Sequence, residues 1–78
     1  MRLVLIEWID ACSVSQVGRW SDKSLLDTVK PEYCRSIGWV HEETDEQITV
    51  YSHDAGEQVG GDFCIPKCCI KSIREIEI

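Results

Sequence analysis

From Tyr33 onward the chain alternates with a period of two, and this limits what it can fold into more than any other feature. Cys34, Ser36, Gly38 and Val40 fall on one side, and Tyr33, Arg35, Ile37, Trp39 and His41 on the other. Such a period places successive side chains on opposite faces of a β-strand, whereas a helical face repeats about every 3.6 residues. Glu42 to Glu46 reads as an acidic turn. Gln47 to Ser52 then alternates again, with Ile48 and Val50 against Thr49 and Tyr51. Two alternating runs joined by a short polar connection predict a β-hairpin.

The remaining segments fit around that hairpin. Met1 to Asp10 is rich in β-branched and aromatic residues and suits a strand. Leu3, Leu5 and Ile9 share one of its faces with Glu7, and Val4, Ile6 and Trp8 take the other, so the strand is expected to be covered on both sides. Ser13 to Gly18 is small and polar and reads as a loop. Ser21 suits an N-cap, Asp22 suits the positive end of a helix, and Leu25, Leu26 and Val29 share one face of a short helix over Lys23 to Val29. Lys30-Pro31 ends it, and two turns this short must pack on the sheet. His53 to Gly61 is a loop marked by Gly56, Gly60 and Gly61. Phe63 to Ile65 is a strand ended by Pro66, and Cys69 to Ile78 is the last strand.

Five strands and one short helix in 78 residues make a single domain over residues 1–78. Strands so short are not expected to form two independent sheets. A small five-stranded antiparallel barrel gives one core and removes the edges, and Gly38 and Gly60-Gly61 stand where strongly bent strands need them. A core of this size is marginal, which favours self-association into a homo-oligomer.

Fourteen acidic against eight basic residues give a net charge of −6. Nucleic-acid binders gain much of their affinity by setting Lys and Arg against phosphates, so that class is not expected. Five cysteines, at positions 12, 34, 64, 68 and 69, are an odd number, unlike a secreted disulfide framework. Glu7 and Asp10 interrupt the apolar core a signal sequence would need, and no stretch approaches the roughly 20 apolar residues of a membrane span. A cytoplasmic protein with reduced thiols is the expectation.

The chemistry-bearing residues form no catalytic pattern. Cys64-x-x-x-Cys68-Cys69 has the wrong spacing for a zinc knuckle, even with Cys12, Cys34, His41 and His53 nearby in number, and its cysteines read as small buried hydrophobes. A cysteine nucleophile needs a helix N-terminus or a cation to lower its pKa, and the local sequence supplies neither. Glu42, Glu43, Asp45 and Glu46 lack calcium-loop spacing and read as a solvated turn. There is no nucleophile elbow, phosphate-binding glycine loop or H-E-x-x-H. The chain therefore reads as non-enzymatic, with no metal or cofactor. Trp8 and Trp39 fall within strands. Trp20, in a polar loop, either staples the short helix to the barrel or anchors a partner or planar ligand.

The segment Cys34-Arg35-Ser36-Ile37-Gly38-Trp39-Val40, followed by Glu42-Glu43-Thr44 and by Ile65-Pro66-Lys67-x-x-Ile70, resembles a group of short proteins encoded in bacteriophage genomes. The opening strand ending Glu7-Trp8-Ile9-Asp10, with a cysteine and Gly18-x-Trp20 after it, fits the same group. The strand pattern is also similar to small barrels of the Sm-like and src-homology-3-like type, in which a short turn such as Ile65 to Cys69 joins the last two strands. The resemblance implies a binding protein that antagonises host defence, either by sequestering a small nucleotide-type signal or by blocking a host protein. Residues available for such a ligand are Trp20, Tyr33, Arg35, His53 and Lys67. Alternatives are a phage structural or accessory interaction protein, an Sm-like RNA-binding ring, and a small metal-dependent hydrolase using Glu43 or Asp45.

Overall fold

The computed structural model describes residues 1–12 and 20–77. Its strands are β1 (Leu3–Asp10), β2 (Glu32–Glu43), β3 (Gln47–Tyr51), β4 (His53–Asp54), β5 (Val59–Gly60), β6 (Phe63–Pro66) and β7 (Ile70–Glu75). Two 3₁₀ helices, Lys23–Thr28 and Lys67–Cys69, complete the elements. The protein is mainly β: five strands form one antiparallel sheet in the order β6-β3-β2-β1-β7, and β4 pairs with β5 in a small separate ribbon. The expected loop Ser13 to Gly18 and residue Ile78 lie outside the described residues.

The long strand β2 organises the sheet by changing partners midway. Its first part, Glu32 to Trp39, pairs with β1, from Asp10↔Glu32 to Leu3↔Trp39. Its last part, Trp39 to Glu43, pairs with β3, with a bulge at His41 between Val40↔Val50 and Glu42↔Thr49. At the handover sits Gly38, which is buried. A Cβ there would lie 3.0 Å from the Tyr51 carbonyl oxygen and 3.1 Å from Val50 Cβ, so a side chain would push β3 away. The absence of a side chain lets β3 come close to β2 where β2 changes partners.

The core gathers residues from three strands of the sheet. Val4 and Ile6 come from β1, Ile48 and Val50 from β3, and Ile65 from β6; all are essentially without solvent exposure. Trp8, Val40, Phe63, Cys69, Ile70 and Ile73 pack around them. The period-two pattern accounts for this selection, since Val4, Ile6 and Trp8 share a face, as do Ile48 and Val50. Each buried aliphatic side chain of this size contributes about 1.5–3 kcal/mol.

Several expectations need correcting. β1 is covered on one face only: Leu3, Leu5 and Ile9 on its other face stay half-buried. The segment expected to pack on the sheet does not bury itself. That segment is a 3₁₀ helix over Lys23–Thr28 with Asp22, not Ser21, at its N-cap, and none of its residues is buried. Leu25 and Leu26 are 48% and 56% exposed. The cysteines are not buried hydrophobes either: Cys12, Cys64 and Cys68 are exposed, and Cys34 and Cys69 half-buried. Cys69 lies at the margin of a core already filled by aliphatic residues.

His53 to Gly61, expected as a loop, carries the β4–β5 ribbon. Asp54 Oδ1 accepts a hydrogen bond from the Gly56 amide at 2.8 Å, and the Ala55 amide donates to the Gln58 carbonyl at 2.8 Å, closing the turn. Gly61 has φ +64°, and a Cβ there would overlap Ser52 Oγ, so this corner requires glycine. Two-residue strands carry no periodic signal.

Core and periphery should separate cleanly on substitution. Ile48→Ala is expected to cost about 2–5 kcal/mol in urea unfolding. Leu26→Ala, on the unburied 3₁₀ helix, should stay within about 0.5 kcal/mol of the parent. Equal losses at the two positions would mean that the 3₁₀ helix packs on the sheet after all.

Candidate functional site

A groove of about 310 Å³ lies where β1, β2 and β7 run side by side, lined by Glu7, Trp8, Tyr33, Cys34, Arg35 and Lys71. The register assembles it. Glu7 stands opposite Arg35 and Ile9 opposite Tyr33, so Glu7, Tyr33 and Arg35 share the face turned away from the core. On the other side of β1, Glu7 pairs with Ser72 and Trp8 with Ile70, which leaves Lys71 as the extra residue of a bulge. A bulge re-aims the side chain it carries. Lys71 consequently reaches across β1 and places its ammonium 5.0 Å from the centre of the Tyr33 ring. Trp8 is held by its indole N–H, which donates to Ser36 Oγ at 3.0 Å.

The electrostatics of this groove differ from those of the chain as a whole. Among the described residues, neither Arg35 nor Lys71 forms an ion pair; the three salt bridges involve Arg2 and Lys67 alone. Two cations without carboxylate partners beside an exposed aromatic ring suit an anionic ligand with a planar part. Tyr33 is 73% exposed and its ring is open to stacking.

Of the five residues singled out from the sequence, the structure brings two together, Tyr33 and Arg35. Lys67 lies elsewhere, with its ammonium 2.7 Å from Glu43 Oε2. His53 is on the exposed β4 ribbon, and Trp20 is 99% exposed and does not line the groove. Glu7, Trp8 and Lys71 were missed. Glu7 gave a signal, as the charged residue on an otherwise apolar face of β1, but the bulge that delivers Lys71 leaves no mark in the sequence.

The acidic turn is not wholly solvated, because Glu43 is the centre of an ion network at the other end of β1. Arg2 Nη1 lies 2.7 Å from Glu43 Oε1, and Arg2 Nε 2.6 Å from Glu75 Oε1. The hydrogen bond from Arg2, and then that from Lys67, hold the Glu43 carboxyl below its usual range. Arg2 is correspondingly raised, chiefly by Glu43. This network joins β1, β2, β7 and the Lys67–Cys69 turn, so its role is to tie strands. The turn itself is closed by Thr44, whose Oγ1 accepts from the Glu46 and Gln47 amides at 3.2 Å each.

Two of the thiols lie side by side. Cys68 and Cys69 have their sulfurs 3.9 Å apart, and the hydrogen bond Cys69 shares with Cys68 pushes its thiol up, away from the thiolate form that attacks. Among the described residues, no group of three or more His, Cys, Asp or Glu is placed to hold a metal ion.

Comparison with protein-family models, curated proteins and solved structures returned no match.

The Glu43 network has a definite pH signature. Its lowered native pKa means that its stabilisation is complete above the ordinary carboxylate range and lost in acid. Glu43→Gln should therefore lower stability by about 0.5–1 kcal/mol at neutral pH. The difference should begin to fade below pH ~4.3, the ordinary glutamate value, and vanish once the pH passes the native value. Thermal melts of both proteins across that range read it out, and a pH-independent gap would remove the ion network as its cause.

Proposed function

We propose that the protein is a small, non-enzymatic binding module that takes a nucleotide-type anion in the Tyr33–Arg35–Lys71 groove. One observation carries the reading: on a chain of net charge −6, Arg35 and Lys71 line one groove without a salt bridge, and Lys71 lies over an exposed tyrosine ring. Arg35 and Lys71 would hold the phosphate, Arg35 with a fork of donors and Lys71 as a point charge. The ring of Tyr33 would stack on the base. Lys71 already occupies one position over that ring, so a ligand would exchange the cation–π contact for a charge-assisted one.

The resemblance to short bacteriophage proteins supports the biological setting. In that setting the protein withdraws a nucleotide signal of host defence in the cytoplasm of an infected bacterium, acting as a homo-oligomer. The strand order β6-β3-β2-β1-β7, with a 3₁₀ turn joining the last two strands, supports a small-barrel architecture of the Sm-like or src-homology-3-like kind. The edges β6 and β7 are not hydrogen-bonded to each other, so the barrel would be a bent sheet bridged by that turn.

Calorimetric titration with a panel of mono-, di- and cyclic nucleotides tests the reading. At least one member should bind at micromolar concentration or below. Arg35→Ala and Lys71→Ala should each weaken it by about tenfold or more, the worth of one charge-assisted hydrogen bond. Both side chains are outside the core, so the variants should fold as the parent does. Uniform absence of binding, or unchanged affinity in Lys71→Ala, would overturn the proposal. Affinity for a single-stranded oligonucleotide that falls steeply with salt would favour the RNA-binding alternative instead.

A further inference from the structure

The 3₁₀ turn Lys67–Cys69 carries two thiols that converge. Consecutive residues of such a turn point roughly 120° apart, so their side-chain tips usually diverge. Here the Cys68 and Cys69 sulfurs stand 3.9 Å apart and share a hydrogen bond. Cys68 is exposed and Cys69 half-buried, so one side of the pair is open to solution.

The backbone beneath the pair is held in place from several directions. The Lys67 amide donates to the Glu46 carbonyl at 2.8 Å, and the Ile70 amide donates to the Lys67 carbonyl. The Lys67 ammonium lies 2.7 Å from Glu43, and Cys69 packs against the core. A donor pair fixed in this way loses little freedom on taking up a ligand. The separation itself selects the ligand. A metal–thiolate bond is about 2.3 Å long, so two thiolates at tetrahedral or trigonal angles stand roughly 3.8–4.0 Å apart. A disulfide would instead need the sulfurs at about 2.05 Å, which the turn as folded does not provide.

We propose that Cys68 and Cys69 chelate a soft monovalent cation, Cu(I), between their two sulfurs. Thiolates favour soft ions, and among the described residues no group of three or more His, Cys, Asp or Glu is placed to build the closed four-ligand site of structural zinc. Cu(I) is stable with two or three ligands, and on the open side it keeps a position for a ligand from solution. Charge favours the same ion: the Asp10 carboxylate is close enough to act on Cys69, and the chain as a whole carries −6. Binding forms two Cu–S bonds and releases two protons, with no change of oxidation state. Neither cysteine lines the Tyr33–Arg35–Lys71 groove, so this site stands or falls apart from the nucleotide reading.

Anaerobic titration of the full chain with Cu(I) held by a chromophoric Cu(I) chelator tests it. The parent should withdraw Cu(I) from the chelator. Cys68→Ser and Cys69→Ala should each weaken binding by about 100-fold or more, because a lone thiolate loses the advantage of two linked donors. Cys64→Ser, at another exposed thiol, should leave it unchanged. Affinity should rise with pH by up to ~100-fold per unit while both thiols of the free protein are protonated, since two protons leave. Circular dichroism checks that each variant folds, and Cys68→Ser, at the exposed position, decides the matter if Cys69→Ala does not fold. No withdrawal of Cu(I) by the parent, binding unchanged in Cys68→Ser, equal loss in Cys64→Ser, or affinity indifferent to pH would overturn the proposal.

Discussion

The structure depends on β2 serving two partners, and β2 can do so because Gly38 has no side chain. A twelve-residue strand that paired along its whole length with one neighbour would give a flat ribbon with its apolar side chains open to water. Instead β2 gives its first part to β1 and its last part to β3, and at the handover the backbone of β3 comes so close that a Cβ would have no room. Val4 and Ile6 then cluster with Ile48, Val50 and Ile65. The contact of those five aliphatic side chains is the whole of the deep core. For so short a chain it is a narrow base.

That narrowness explains the weight carried at the margins. Arg2, Glu43, Lys67 and Glu75 clip one end of the sheet with charges instead of apolar contacts, and they do so where the ends of β1, β2 and β7 and the last turn come together. At the other end no ion network forms among the described residues. There Arg35 and Lys71 are left without carboxylates, and the surface becomes chemically available. The same strands that build the core thus present a tied end and an open end, and the proposed ligand groove is at the open one.

Much of this was legible in the chain itself. Alternation over Tyr33–His41 and Gln47–Ser52 predicts β2, β3 and their turn, and the mixed pattern of Met1–Asp10 predicts β1, because strand period and side-chain face are local properties. The same pattern puts Val4 with Ile6, and Ile48 with Val50, on shared faces, but which face turns inward is not a local property. The short helix was less legible. Leu25, Leu26 and Val29 have helical spacing, but spacing says only which face could be buried, and the sheet leaves the segment Lys23–Thr28 unburied. The cysteines mislead for a related reason: residue type sets a tendency to be buried, and available space decides whether it is met. The candidate site was half legible. Tyr33 and Arg35 lie two apart on one strand and must share a face, whereas Trp20, His53 and Lys67 belong to elements whose relative placement no local pattern specifies.

The sequence by itself determined the main strands and which residues share a face of each, since both depend on neighbours a few residues away. Only the tertiary structure decided which strands lie side by side, that Glu43 is ion-paired instead of solvated, and that Lys71 reaches Tyr33. These depend on register across the sheet. One extra residue in β7, the bulge at Lys71, shifts that register and carries an ammonium group across β1, and a shift of register is a relation between strands that neither strand's sequence contains.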